Sequence, residues 1–344
     1  MLIAKNAIAK IVVIRPGALG DVLAIRPTIR FFKDSFPRAE VCLVAPGERG
    51  RFFRRDGWAD RTFDWDRGAF SWLFATGDDA PPPTLSAVFS GTSLIVAYDD
   101  FQDAESQEAF ERRLDCLAPS AGKVFCPSRP PKGHAQPLDE WLLTAALGFC
   151  RRFFLVEGRS VDPARFLISR IVMPERMPLA GLNGRYFVIH PGSGSRTKNW
   201  PVANYVHLAQ SILAAAKQEG APLGMIVTAG EADGDAGRRL AEAVQGALLV
   251  EQASLDDLAA LLAYSDFYLG NDSGVSHLAA SVMGFDGRHS AMGVIFGPSD
   301  PDVWAPRGAT VLGAGPDMTA LPLEDACDVI LGMLNRNGTF PENS

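Results

Sequence analysis

Three glycine-rich turns carry the side chains of this sequence that are best suited to chemistry. They are Arg15 to Asp21, His190 to Pro201, and Gly270 to His277. Each follows a short run of apolar residues of the kind that forms buried strands in a parallel sheet. Because ligands bind outside the carboxyl ends of such strands, we expect all three turns to face a binding site.

The first turn, RPGALGD, ends in a carboxylate at Asp21. Its glycines allow a tight turn into a helix. Asp is a preferred helix-capping residue, so a capping role for Asp21 is one interpretation. The other is that Asp21 acts as a general base on an acceptor hydroxyl, and both remain open at this point.

The second turn, HPGSGSRTKNWP, offers groups that suit a phosphate. Backbone N–H groups around Gly194 and the hydroxyl of Ser193 are hydrogen-bond donors, and Lys198 adds a positive charge for a diphosphate. The order GxxxxGK[ST] of a P-loop is missing. The alternative interpretation is a solvated loop with an exposed lysine.

The third turn, GNDSGVSH, precedes an alanine-rich helix. The N–H groups of Ser273 and Gly274, at the positive end of that helix, predict an anion site. A diphosphate would repel Asp272, which suits sugar hydroxyls or backbone amides better. His277 falls one turn into the helix, where a structural role and a ligand contact are both open.

Two further sets of charged residues are candidates for binding. Glu231 follows a predicted strand and is placed to bind a ribose diol, although an exposed Glu is the commoner outcome. Four arginines with two phenylalanines between them suit anionic sugars, lipid phosphates or a membrane surface, or else form a solvated face. They are Arg49, Arg51, Arg54 and Arg55.

Strands alternate with helices in both halves of the chain, which predicts an α/β fold of two doubly wound, Rossmann-like domains facing an interdomain cleft. We place the domains at 1–175 and 176–344, with a hinge at Val172 to Leu182 and a last helix that is able to pack back on the first domain. The predicted strands and helices are 11–14, 21–33, 41–45, 94–97, 139–149, 187–189, 202–219, 225–228, 236–244, 255–264 and 267–269.

Composition and charge disfavour several classes of protein. The chain has 344 residues, a net charge of -7 and a pI near 5.3, so it lacks the overall basic character of nucleic-acid binders. Its five cysteines are scattered without CxxC spacing, so we expect neither disulfides nor a metal site. The short apolar run near the N-terminus is typical neither of a signal peptide nor of a membrane span, which favours the cytoplasm.

Four motifs in order, IRPGALGD, HPGSGSRTKNWP, NDSGVSHLAA and IFGPSDP, together resemble glycosyltransferase family 9, the bacterial lipopolysaccharide heptosyltransferases. The resemblance implies a GT-B fold, an ADP-heptose donor bound mainly by the C-terminal domain, and inversion at the anomeric carbon with neither metal nor cofactor. It implies an anionic glycolipid or glycan as acceptor, and leaves open peripheral contact with the inner membrane. The longer connection at 284–290 departs from the family pattern and bears on donor specificity.

The same resemblance assigns roles to individual residues. Asp21 matches the catalytic base, and Lys198 matches the lysine that stabilises the donor diphosphate. Ser193 matches a phosphate-contacting hydroxyl residue, and Glu231 loosely matches the ribose-binding residue. The residues that match the D[ST]GxxH donor motif are Asp272, Ser273, Gly274 and His277.

Three other functions compete with this one. A nicotinamide-dependent oxidoreductase is disfavoured, because GxGxxG is absent and the second strand ends at Ala45-Pro46 without a ribose-binding acid. A sugar-nucleotide binder without turnover has no use for an acceptor-side base such as Asp21. A GT-B nucleotide-sugar epimerase would work without any acceptor.

Overall fold

The structure is a computed structural model that describes residues 8–75, 77, 79–99, 101, 103–153, 162–167, 184–230, 234–283 and 291–336, with the backbone alone for 149–153. The chain divides into two compact units, Met1–Ser169 and Arg170–Ser344. In both units the described strands form one fully parallel sheet with helices around it, so the predicted α/β class is confirmed.

The first unit has a five-stranded sheet in the order β3-β2-β1-β4-β5. The central strand β1 is buried along its whole length, as its β-branched sequence predicts. The elements are β1 Lys10–Ile14, α1 Leu19–Leu23, α2 Arg26–Ser35, β2 Glu40–Ala45, α3 Gly47–Arg55, β3 Arg61–Asp64, a 3₁₀ helix at Gly68–Phe74, α4 Pro83–Phe89, β4 Leu94–Tyr98, α5 Ala104–Leu117, β5 Gly122–Cys126, α6 Leu138–Phe153 and α7 Ala164–Leu167.

The second unit has a six-stranded sheet in the order β11-β10-β9-β6-β7-β8. Its last helix packs on α8 and β10 of the same unit. The elements are β6 Tyr186–His190, a 3₁₀ helix at Arg196–Lys198, α8 Val202–Gln218, β7 Gly224–Ala229, α9 Gly234–Ala243, β8 Ala247–Glu251, α10 Leu255–Ala263, β9 Phe267–Asn271, α11 Gly274–Val282, β10 Ala291–Ile295, α12 Pro301–Trp304, β11 Thr310–Leu312, a 3₁₀ helix at Met318–Ala320 and α13 Leu323–Arg336.

The single helix predicted at 21–33 was wrong in its extent. The chain forms two helices there, α1 and α2, which are separated at Ala24 and Ile25. Pro27 lies in the first turn of α2, where a missing N–H costs nothing, but its ring would clash with the carbonyl of Leu23 in a continuous helix. The break places Asp21 in a short helix of five residues directly after the glycine turn.

Among the helices that the structure describes, none combines the length and apolar character that crossing a bilayer requires. The predicted hinge at Val172 to Leu182 lies outside the described residues.

Candidate functional site

The second and third sequence motifs meet at the point where the strand order of the second sheet reverses. Strands β6 and β9 are neighbours, with His190 opposite Gly270. From β6 the sheet continues to β7 and β8, whereas from β9 it continues to β10 and β11 on the other side. Such a reversal of strand order is the usual ligand site of open parallel sheets.

Lys198 and Asp272 form an ion pair across this point. Lys198 ends the 3₁₀ helix after β6, and its Nζ lies 2.7 Å from Oδ2 of Asp272, which directly follows β9. The Asp272 side chain is 8% exposed and that of Lys198 is 35% exposed. The ammonium is thus anchored on one side by a buried carboxylate, while part of its surface stays open to a ligand.

The loop between β6 and the 3₁₀ helix is stabilised by its own side chains. Ser193 is buried, and its Oγ lies 2.7 Å from Ser195 O and 2.7 Å from Asn199 Oδ1. The Ser193 hydroxyl also accepts a 3.2 Å hydrogen bond from the N–H of Ser195. Gly194 is exposed, and a Cβ at that position would meet nothing within 4 Å. Phosphate contacts by the Ser193 hydroxyl and by the backbone N–H groups around Gly194 stay predictions.

The N-terminus of α11 lies beside the ion pair. Ser273 is its N-cap, and the Ser273 hydroxyl accepts a 3.3 Å hydrogen bond from the N–H of Ser276. The N–H groups of Gly274 and Val275 belong to the same first turn and have no acceptor within the helix. His277 is half-buried in this turn, where its N–H donates to Ser273 O. Together with Lys198, the helix end concentrates positive charge and N–H donors as an anion site requires.

Two buried polar residues of these motifs received no role from sequence reasoning. Asn271 is fully buried between the two turns. His190, at the end of β6, is also buried, and its Nδ1 lies 3.0 Å from Thr228 O on β7, a contact that links the ends of these two strands. A polar residue at the end of an otherwise apolar strand was the available signal, because a buried amide or imidazole needs hydrogen-bond partners.

Asp21 lies in the first unit at the third residue of α1, and Ala18 is the N-cap. Asp21 is therefore not the N-cap residue, but its carboxylate does cap the start of the helix from the third position, as one of the two interpretations expected. Its Oδ2 accepts a 2.9 Å hydrogen bond from the N–H of Ala18, and its Oδ1 lies 3.3 Å from Nη2 of the buried Arg15. The Asp21 side chain remains 30% exposed. The carboxylate is oriented from two directions and still accessible, which suits a base that must meet a substrate hydroxyl.

Gly17 is the residue that brings the turn close to Asp21. Its φ of +132° lies in a region that other residues rarely adopt, and a Cβ would lie 2.8 Å from Asp21 Cβ. The carbonyl of Gly17 accepts a 2.8 Å hydrogen bond from Arg49 Nη1. Arg49 thus stabilises the turn that carries Asp21, a contact that its place in the arginine cluster did not suggest.

The other three arginines of the cluster lie on α3 and are exposed. Arg51 forms an ion pair with Glu48 one turn away, and Arg55 Nε lies 3.1 Å from Asp56 Oδ1. Phe52 and Phe53, which separate the arginines in the sequence, are buried at 3% and 2% exposure. The cluster is therefore a charged surface without exposed aromatic side chains from Phe52 and Phe53, and acceptor binding by Arg49, Arg51, Arg54 and Arg55 stays a prediction.

Glu231 and the connection 284–290 lie outside the described residues. Within the described part of the chain, no group of three or more His, Cys, Asp or Glu side chains is arranged to hold a metal ion.

Tyr205, in the first turn of α8, donates a 2.8 Å hydrogen bond from its hydroxyl to Asn271 Oδ1. Burial raises the pKa of Tyr205 well above its ordinary value, so this phenol stays neutral and keeps its proton for that bond.

Residues 162–322 match the family model described as glycosyltransferase family 9 (heptosyltransferase). The match confirms the family resemblance and covers three of the four motifs, whereas IRPGALGD, at 14–21, lies outside the matched residues. No curated protein matches the sequence.

Solved structures with the same fold are distant in sequence. A family 9 glycosyl transferase from Veillonella parvula has a TM-score of 0.69 at 13% identity, with 95% of this chain and 97% of that chain covered. The Escherichia coli ADP-heptose lipopolysaccharide heptosyltransferase II has a TM-score of 0.66 at 17% identity, with 95% of this chain and 99% of that chain covered. The E. coli heptosyltransferase WaaC with ADP has a TM-score of 0.67 at 16% identity, with 94% of this chain and 99% of that chain covered. These likenesses show the GT-B fold.

Proposed function

We propose that this glycosyltransferase, whose residues 162–322 belong to family 9, transfers a heptose or a related sugar from an ADP-sugar to an anionic glycan or glycolipid. The second unit binds the donor, and Asp21 of the first unit is the general base. The reaction inverts the anomeric carbon and uses no metal ion.

The observation that carries the proposal is the Lys198–Asp272 ion pair beside the N-terminus of α11. A nucleoside diphosphate needs positive charge and N–H donors in one place, and the strand reversal brings both together from distant parts of the chain. Two solved structures support the choice of nucleotide: E. coli WaaC was solved with ADP, and also with ADP-2-deoxy-2-fluoro heptose.

Asp21 and Lys198 have separate roles in the proposed reaction. Asp21 accepts the proton of an acceptor hydroxyl, while that oxygen forms a bond to the anomeric carbon of the donor. The bond between this carbon and the diphosphate oxygen breaks at the same time, and ADP leaves with the electron pair. Lys198 and the first-turn N–H groups of α11 stabilise the negative charge that grows on the leaving diphosphate. Attack opposite the leaving group inverts the configuration.

Arg15 supports Asp21 in this scheme without touching substrate. Its Nε donates to the carbonyl of Asp21 at 3.1 Å, and its Nη2 faces the carboxylate and Ser128 O. The guanidinium thereby holds the Asp21 carboxylate in one orientation toward a substrate hydroxyl. The acceptor would meet the exposed arginines Arg51 and Arg54 of α3, which attract anionic sugars or phosphates.

Binding of ADP tests the donor site directly. We expect Lys198→Ala to weaken ADP binding by about tenfold, because a charge-assisted contact is removed, as measured by isothermal titration calorimetry. Lys217→Ala is the matched control, since Lys217 is an exposed lysine in the last turn of α8. Equal ADP affinity in Lys198→Ala and wild type would contradict the phosphate contact.

Turnover separates the transferase from its rivals. A transferase consumes the ADP-sugar only as fast as an acceptor receives the sugar, so release of ADP should require the glycan. A non-catalytic binder would bind the ADP-sugar with no release of ADP under any condition. An epimerase would change the configuration of the donor sugar with no acceptor present, which nuclear magnetic resonance of the donor detects.

A further inference from the structure

Asn271 occupies an unusual position between the two turns of the donor site. It is the last residue of β9, directly before Asp272, and it is fully buried. A side-chain amide in such a place needs hydrogen-bond partners, because an unpaired polar group inside a protein costs about 1–3 kcal/mol. Its partners all lie on the neighbouring turn that follows β6 and at the start of α8.

The amide of Asn271 makes four hydrogen bonds to this turn and the helix after it. Its Oδ1 accepts from the backbone N–H of Trp200 at 3.1 Å and from the Tyr205 hydroxyl at 2.8 Å. Its Nδ2 donates to the carbonyls of Pro191 and Gly192 at 2.7 Å and 3.4 Å. The side chain thus binds both ends of the loop that carries Lys198.

The chemistry of these partners determines which residue fits. A backbone N–H can only donate and a carbonyl can only accept, so the orientation of the amide follows from its surroundings. Asp would have no donor for the carbonyls of Pro191 and Gly192, and Leu would satisfy neither set. Asn combines an acceptor and a two-proton donor in the required shape.

The backbone of Asn271 connects the same point to the helix that supplies N–H groups. Its carbonyl accepts a 2.6 Å hydrogen bond from Ser276 Oγ, which also lies 2.9 Å from the Tyr268 hydroxyl. Ser276 lies in the first turn of α11, where Ser273 caps its N–H. Asn271 is therefore tied to the Lys198 loop through its side chain and to the start of α11 through its backbone.

We propose that Asn271 is a positioning residue for the donor diphosphate, which holds the Lys198 loop in register with the N-terminus of α11. This inference rests on the proposed function. Asn271 is buried and acts through Lys198 and the N–H groups, which must lie at fixed distances from one diphosphate to act together. Loosening the loop lets the ammonium move relative to the helix and weakens phosphate binding specifically.

Calorimetric binding of ADP and of adenosine to Asn271→Ala tests the inference. We expect ADP to bind about tenfold more weakly and adenosine to bind as in wild type, because adenosine lacks the phosphates. Ser265→Ala is the matched control, since Ser265 is a buried residue of the same unit whose Oγ donates to Leu262 O at 2.7 Å, away from both turns. It should leave ADP affinity unchanged.

A double-mutant cycle of ADP affinity distinguishes a positioning role of Asn271 from a general contribution to folding. If Asn271 acts through the Lys198 loop, Asn271→Ala should weaken ADP binding much less in a Lys198→Ala background than in wild type. Full additivity of the two substitutions, equal ADP affinity in Asn271→Ala and wild type, or a parallel loss of adenosine binding would each overturn the inference.

Tyr205→Phe covers the case in which Asn271→Ala does not fold. It removes one of the two hydrogen bonds to Asn271 Oδ1 and keeps the ring in the core, and we expect about threefold weaker ADP binding with adenosine unchanged. Unchanged ADP binding in Tyr205→Phe would then overturn the inference. If wild type binds no ADP, the proposed function itself fails, whereas ADP binding that is insensitive to Asn271 refutes only its positioning role.

Discussion

Lys198 Nζ lies 2.7 Å from Asp272 Oδ2, although the two residues are 74 positions apart in the chain. The pair forms because β6 and β9 are adjacent strands and each residue follows one of them. It gives the ammonium a defined place before any nucleotide arrives. It also places a negative charge beside the expected diphosphate, which opposes binding of that anion.

Asp272→Asn should therefore separate nucleotide binding from transfer. Removing the negative charge lowers repulsion of the diphosphate, while the hydrogen bonds of Asn271 still hold the Lys198 loop. We therefore expect ADP to bind about fivefold more tightly, which is about 1 kcal/mol. Transfer should be slower, because Asp272 is also expected to contact sugar hydroxyls. Calorimetry with ADP and steady-state kinetics measure the two effects, and weaker ADP binding would contradict this account of the pair.

Gly17→Ala should impair catalysis more than stability. Its Cβ would lie 2.9 Å from Asp21 Oδ2, and its φ of +132° disfavours any side chain. We expect transfer to fall on the order of tenfold or more as Asp21 is displaced. Gly220→Ala is the control, because its φ is +66° in open space within the second unit. That variant should lose about 1–2 kcal/mol of stability and keep its transfer rate; equal kinetics in the two variants would refute the constraint on Asp21.

Arg49 and Arg51 should behave differently despite their proximity. Arg49 donates to the Gly17 carbonyl, whereas Arg51 pairs with Glu48 on the surface. Arg49→Ala should lower kcat by about fivefold, as expected for a lost hydrogen bond of about 1 kcal/mol that holds the Asp21 turn. Arg51→Ala should leave kcat unchanged and raise only the KM for an anionic acceptor. Identical kinetic profiles of the two variants would contradict the distinction.

The thiols provide a check on the packing of the first sheet. Burial, with a smaller contribution from Glu40, raises the pKa of Cys42 to about 12, so Cys42 carries almost no thiolate at pH 8. Cys116 on α5 is exposed. Iodoacetamide at pH 8 should label Cys116 in the native protein and label Cys42 only after unfolding, as read by peptide mass spectrometry. Native labelling of both at one rate would contradict the buried β2.

The central strands and the three motifs were predictable because their local patterns agree with their final environment. Ile11 to Ile14 is apolar throughout because β1 is buried on both faces, and the glycine turns follow directly from their strands. The four strands at the edges of the two described sheets, β3, β5, β8 and β11, escaped prediction. Arg61–Asp64 is mostly polar and lacks the continuous apolar run of a central strand. Ala247–Glu251 does contain such a run, Ala-Leu-Leu-Val, but the strand is only half-buried.

The hydrogen bonds within the site were beyond sequence reasoning for a different reason. The partners of Asn271 lie on another strand and helix, and the contact of Arg49 with Gly17 joins two separate loops. Spacing along the chain carries no information about such pairs until the strand order is known. Motifs therefore predicted candidate ligand-binding residues, while the hydrogen bonds that position those residues required the three-dimensional structure.

The role of Asp21 as general base is decided by the rate of transfer in Asp21→Asn with an ADP-sugar and a glycan acceptor, measured alongside ADP binding. Asn keeps the shape of the side chain and accepts the Ala18 N–H, but it cannot take a proton from the acceptor. We predict a loss of transfer on the order of a hundredfold or more, with ADP affinity within about twofold of wild type. Transfer at the wild-type rate would contradict it.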